Sequence, residues 1–181
     1  MLMTIDVGNT NIVMGVFHGE DLAASFRINS RTERTSDELG ILIFSLLQSR
    51  GISVSDITDI IVSSVVPKIM HSLTSSFLKY FNIDPMIIGP GSKTGISIRT
   101  DNPKEVGADR IVNVAAAHEL YKRSAIVIDF GTATTFDYVN DEGVFQYTVI
   151  MPGLEIIARA LTSNTAKLPE VEIIKPDTIL A

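Results

Sequence analysis

The chain has no cysteine, which excludes a disulfide framework, a thiolate metal site and a cysteine nucleophile. Its three histidines, His18, His71 and His118, are widely separated and lack the spacing that gathers ligands around a metal ion. Basic residues run no longer than a pair such as Lys122-Arg123, and the formal charge is -6. A phosphate polymer finds no electrostatic footprint here, so nucleic acid is not an expected partner. No apolar run approaches the ~18 residues of a membrane-spanning helix. Because the N-terminus reaches Asp6 before an apolar signal core can form, the expectation is a cytoplasmic protein with no membrane partner. At 45% hydrophobic and 20% charged, the remaining composition is that of an ordinary globular domain.

One pattern occurs twice. Leu2 to Ile5 is a short apolar run entering Asp6-Val7-Gly8-Asn9-Thr10. Ile12 to Phe17 reads as a second strand, the turn His18-Gly19-Glu20-Asp21 follows, and Leu22 to Ile28 reads as a third. Ser36-Asp37-Glu38 then opens a helix whose Leu39, Leu42, Ile43, Leu46 and Leu47 share one face, with Gly51 as its end. The same order returns at Ala125 to Ile128, which enters Asp129-Phe130-Gly131-Thr132-Ala133-Thr134. Thr135 to Val139, a turn at Asn140-Asp141-Glu142-Gly143, and Val144 to Met151 supply the next two strands. Pro152-Gly153 opens a helix with Leu154, Ile157, Ala158 and Leu161 on one side. Two copies of strand, Asp-apolar-Gly turn, strand, strand, helix indicate a duplicated unit. Between them stand a strand at Ile57 to Val65, a helix after Pro67 and a short strand at Pro85 to Ile88, so the fold class is α/β. The first domain is expected over residues 1–115 and the N-terminal part of the second over 116–181.

The turns suit phosphate chemistry. Glycine after an acidic residue lets the backbone come close to a ligand, and the N–H groups and short side chains of Gly8, Asn9, Thr10 and Asn11 can cradle phosphate oxygens. Asp6 then stands where a carboxylate can hold a metal ion or its waters. Asp129, Gly131, Thr132 and Thr134 repeat that arrangement, and a cleft between two such turns outlines a nucleotide site. The plainer alternative is a tight hairpin turn in which Asp caps its own backbone and Gly supplies a positive φ. A further segment, Gly107-Ala108-Asp109-Arg110, precedes a strong helix former. There Asp109 reads either as the helix N-cap or as one half of an Asp-Arg pair that accepts a hydroxyl proton and holds an anionic substrate. Gly89-Pro90-Gly91-Ser92-Lys93-Thr94 only glances at a P-loop, because Ser92 replaces the glycine required before the lysine, and it is read as a loop.

Asp6 to Asn11, Asp101 to Arg110, Asp129 to Thr134 and Met151-Pro152-Gly153 stand in the order and spacing of type III pantothenate kinases, and nearly the whole chain resembles that family. The resemblance implies an actin-like ATPase (ribonuclease H-like) fold of duplicated β-β-β-α domains, the second incomplete within this chain. It also implies ATP-dependent phosphorylation of pantothenate to 4'-phosphopantothenate, the first step of coenzyme A biosynthesis. Carried over position by position, Asp6, Val7, Gly8, Asn9, Thr10, Asn11, Ile12 and Val13 match the first ATP loop, and Thr132 a second ATP contact. Gly107, Ala108, Asp109 and Arg110 match the pantothenate site with Asp109 as catalytic base, and Asp129 matches the ligand of a monovalent cation, K+ or NH4+. Mg2+ accompanies ATP, and a homodimer is implied because the family completes its pantothenate pocket across a dimer interface. Thr100 stands where the family usually has tyrosine, and Gln146-Tyr147-Thr148 where it usually has a Gly-Gly pair. The alternatives are a non-catalytic, kinase-derived dimerisation or regulatory module, and a different small-molecule kinase or phosphatase of the same superfamily.

Overall fold

The computed structural model describes residues 1–165, 169, 172–175 and 178. The chain folds as two units, one of residues 1–95 with 102–115, the other of residues 96–101 with 116–181.

The first unit is built on strands β1 (Leu2–Val7), β2 (Asn11–His18) and β3 (Asp21–Asn29), helix α1 (Ser36–Gln48), strand β4 (Asp59–Ser64), helix α2 (Pro67–Phe81) and strand β5 (Met86–Ile87). The sheet runs β3-β2-β1-β4-β5, antiparallel from β3 to β1 and parallel from β1 to β5. Alternation along β1 sends Met3, Ile5 and Val7 to one face, where they join Ile12, Met14 and Val16 of β2 in the core. The apolar stripes of α1 (Leu39, Ile43, Leu47) and α2 (Ile69, Leu73, Phe77) complete that core. Thr35 caps α1 in a reciprocal box with Glu38. β4 adds Ile60 and Val62 to the same core. It begins at Asp59 rather than Ile57 because Ser53 and Asp56 first close a capped 3-10 turn over Val54–Asp56.

The second unit contains β6 (Ser97–Ile98), the C-terminal part of α3 (Ala108–Tyr121), β7 (Ala125–Phe130), β8 (Ala133–Val139), β9 (Val144–Pro152) and α4 (Leu154–Ser163). Its sheet is ordered β6-β9-β8-β7. The duplication extends to the register. In the first unit the pairing of β2 with β3 shifts between Val16 and Phe17, and in the second the pairing of β8 with β9 shifts at the equivalent place, between Tyr138 and Val139. The copies differ in the loop after the first strand. Val7 pairs with Ile12, whereas Phe130 pairs with Thr134, so the second loop is one residue shorter. They differ also in cover: Met3, Ile5 and Val7 are buried, while their counterparts Ile126, Ile128 and Phe130 are 65%, 48% and 70% exposed. No described helix is long and apolar enough to cross a membrane.

Candidate active site

In the first unit, Asp6 lies one residue before the end of β1, and the chain turns at once through Gly8, Asn9 and Thr10. Gly8 N–H donates to the Asn11 carbonyl at 3.0 Å, and Ser30 N–H donates to the Thr10 carbonyl at 3.0 Å. Arg31 reaches the same loop, its Nη2 lying 3.4 Å from Thr10 Oγ1. Val7 and Ile12 have no exposed surface, their side chains packed into the core on either side of the loop. Neither Gly8 nor Gly131 has a positive φ. The hairpin explanation for the glycines, that they supply a left-handed backbone, is therefore corrected at both positions. A Cβ at Gly8 would meet only the Asn11 carbonyl oxygen, at 3.3 Å, and one at Gly131 only the Ala133 oxygen, at 3.5 Å.

The Gly107–Arg110 segment belongs to the same unit and comes to the same edge of the sheet. Val65, just past β4, donates its N–H to the Val7 carbonyl at 3.0 Å, and a Cβ at Gly107 would stand 3.3 Å from Val65 Cγ1. The ends of β1 and β4 and the start of α3 thus meet. Asp109 is not the cap of α3. The helix begins at Ala108, and the Gly107 carbonyl accepts from Arg110 N–H and Ile111 N–H, each at 3.1 Å. Asp109 is instead the second helical residue, its Oδ1 accepting from Arg110 N–H at 2.8 Å. A side chain at Gly107 would collide with that carboxylate, so it requires Asp109 to move. Arg110 is 9% exposed, an arginine drawn into the fold rather than left in solvent.

In the second unit, Asp129 falls near the end of β7 directly opposite Thr135 of β8. Gly131 N–H donates to the Ala133 carbonyl at 3.0 Å, and Gly153 N–H to the Thr132 carbonyl at 2.9 Å. A Cβ at Gly153 would strike the carbonyls of Gly131 and Thr132, so the Met-Pro-Gly motif clamps the 131–133 loop by direct backbone packing. Tyr147, in place of the glycine expected there, stacks obliquely on Tyr138 with ring centroids 6.0 Å apart. Thr100 Oγ1, Ser63 Oγ and Thr135 Oγ1 are buried without a hydrogen-bond partner among the described residues. These hydroxyls, the Arg31–Thr10 contact and the β6 pairing were missed in the sequence. Only the Asp-x-Gly repeat signals that strands beside Asp6 and Asp129 matter, and it says nothing of their register. Gly89–Thr94 is a loop, with Ser92 N–H on the Gly89 carbonyl and Gly89 N–H on Ser92 Oγ, both at 3.0 Å.

Duplicated sheets whose first strands each end in an Asp-x-Gly loop define the actin-like ATPase fold. Solved structures bear this out at the level of fold. A protein described as an N-acetylglucosamine kinase, from Porphyromonas gingivalis, matches with TM-score 0.54 and 14% identity over 90% of this chain and 55% of its own. A protein described as a Baf family transcriptional activator from Campylobacter jejuni matches with TM-score 0.54 and 18% identity over 97% and 68%. The family is given by sequence: the type III pantothenate kinase family model matches residues 2–181. A type III pantothenate kinase of Agathobacter rectalis is 54% identical over 180 residues, 99% of this chain and 69% of the relative. The chain belongs to the type III pantothenate kinase family. Its reaction is the ATP-dependent phosphorylation of pantothenate, the first step of coenzyme A biosynthesis.

Proposed function

We propose that Asp6 to Val13 form the loop that cradles the ATP phosphates, that Thr132 is a second ATP contact, and that Gly107 to Arg110 bind pantothenate. The observation that carries this reading is the pair of glycines, Gly8 and Gly131, which no left-handed backbone requires. With a left-handed backbone set aside, close approach of a ligand to the main chain is the use of glycine that this reading assigns to both positions. Asp109 accepts a hydrogen bond from the primary hydroxyl of pantothenate and aims its oxygen at the γ-phosphorus. As the new O–P bond forms and the bond to the β-phosphate breaks, ADP leaves and the hydroxyl proton passes to the carboxylate. Arg110 holds the polar and anionic groups of the substrate.

Two cations belong to the same reading. Asp6 is an exposed carboxylate opposite Ser63 of β4, whose buried Oγ has no partner among the described residues; oxygen donors of this kind suit hydrated Mg2+. When bound with ATP, Mg2+ neutralises charge on the transferring phosphoryl group. Asp129 is assigned a monovalent cation, K+ or NH4+. The protein acts as a homodimer in the cytoplasm. The test is an ATP-dependent assay of pantothenate phosphorylation on the wild-type chain and on Gly8→Ala. A rise of tenfold or more in KM for ATP, with KM for pantothenate unmoved, is the expected result. An unchanged KM for ATP would remove the loop from the nucleotide site.

A further inference from the structure

Thr135 is 9% exposed, and its Oγ1 is buried without a hydrogen-bond partner among the described residues. A hydroxyl in that position pays the desolvation of its polar atom and receives nothing in return from the protein. Its place in the sheet points to a reason. Thr135 on β8 is the register partner of Asp129 on β7. Residues directly opposite in an antiparallel pair project from the same face, with Cβ atoms ~4.5–5.5 Å apart. On its other flank Thr135 faces Ile150 of β9, which offers no polar side chain. The next pair along this face is Val127 with Asp137, and Asp137 already has interactions of its own. The orphaned oxygen is therefore beside the Asp129 carboxylate, at a separation that one ion with oxygen ligands can span.

We propose that Thr135 is a further ligand of the monovalent cation, its hydroxyl oxygen completing the site with Asp129. The inference rests on the assignment of that cation to Asp129. A hard monovalent cation takes carboxylate and neutral oxygens together. The hydroxyl oxygen then receives the partner that the described residues do not provide. The competing use of the hydroxyl is a direct hydrogen bond to Asp129 after rotation about χ1, and the two uses have opposite signatures.

Thermal unfolding of the full chain, titrated with KCl or NH4Cl at constant ionic strength against tetramethylammonium chloride, separates them. Wild type, Thr135→Val, Thr135→Ser and Asp129→Asn are compared. The expected result is a midpoint that rises with K+ in wild type, and an apparent K+ affinity at least tenfold weaker in Thr135→Val with recovery in Thr135→Ser. Without K+, Thr135→Val should melt at or above wild type, because it removes an unpaired polar atom and keeps the β-branched shape. A lower cation-free midpoint would mean a structural hydrogen bond and overturn the proposal. So would a K+ response of Thr135→Val equal to wild type; if Asp129→Asn abolished the response in that case, the Asp129 assignment would stand and only Thr135 would fall. No K+ response in wild type would remove the assignment and the proposal together. Should Thr135→Val fail to fold, Thr135→Ala answers the same titration.

Discussion

At Asp109 the structure separates two roles that the sequence left joined. Asparagine and aspartate are equally good helix caps, so a capping role would leave Asp109→Asn almost silent. The cap position is filled by Gly107 instead. Asp109 in the first turn contributes a charge near the helix N-terminus, which Asn loses at a modest cost. As the group that orients the hydroxyl and takes its proton, however, it is not replaceable by an amide. Asp109→Asn is expected to lower turnover by about 10²-fold or more while moving the melting temperature little and KM for ATP less. Steady-state kinetics beside a melting curve decide it, and retained turnover would strip Asp109 of its catalytic role. Gly107→Ala should act through the same carboxylate, since the added methyl collides with it. Of this site the sequence made the residue types legible, because Asp, Arg and Gly sit in one short run. It could not supply the distinction between first and second helical residue, which depends on where the backbone bonds begin.

Two elements show how the fold holds its loops. The β9–α4 junction places Gly153 at the N-cap of α4 with no side-chain cap, because the space a side chain would use is filled by the 131–132 backbone. Gly153→Ala is expected to displace the 131–133 loop, destabilising the fold by about 1–3 kcal/mol as overpacking does, and to raise KM for ATP. A variant with wild-type stability and wild-type KM would refute the clamp. The start of α1 gives a pH-dependent counterpart. Hydrogen bonds from Thr35 N–H and Thr35 Oγ1 hold the Glu38 carboxyl below its ordinary pKa. A depressed folded-state pKa stabilises the native state above glutamate's ordinary ~4.3, and that contribution fades as pH falls through the lowered value. Thr35→Ala should therefore cost about 1 kcal/mol near neutrality and lose part of that difference in acid, as urea titrations at the two pH values would show. This helix was legible from Ser36-Asp37-Glu38 and its apolar spacing. The β6 strand was not, because two residues pairing with β9 have no periodicity to read.

Across the whole molecule the duplication was the most legible feature, since a repeated Asp-apolar-Gly turn between alternating strands survives even where loop length differs. Burial was less legible, because identical strand patterns can have different cover. Ile126, Ile128 and Phe130 repeat the apolar face of Met3, Ile5 and Val7, yet α1 and α2 cover only the first set. On the second unit, Leu154, Ile156, Ile157 and Leu161 of α4 are also exposed, so an apolar sheet face and an amphipathic helix both lack cover among the described residues. Surfaces of this kind favour association with a protein partner over hydration. Among the described residues β7 is an edge strand, and its free side offers main-chain groups as well. The expectation is therefore self-association to a homodimer or larger, stable at near-physiological salt because apolar burial is not screened. Replacing Ile126 and Phe130 together by Lys should shift the equilibrium toward monomer without unfolding the first unit, whose core lies elsewhere. Sedimentation velocity across a dilution series is the measurement. A wild-type chain that sediments as monomer at micromolar concentration would contradict the proposal, and a double variant as associated as wild type would move the interface away from this face.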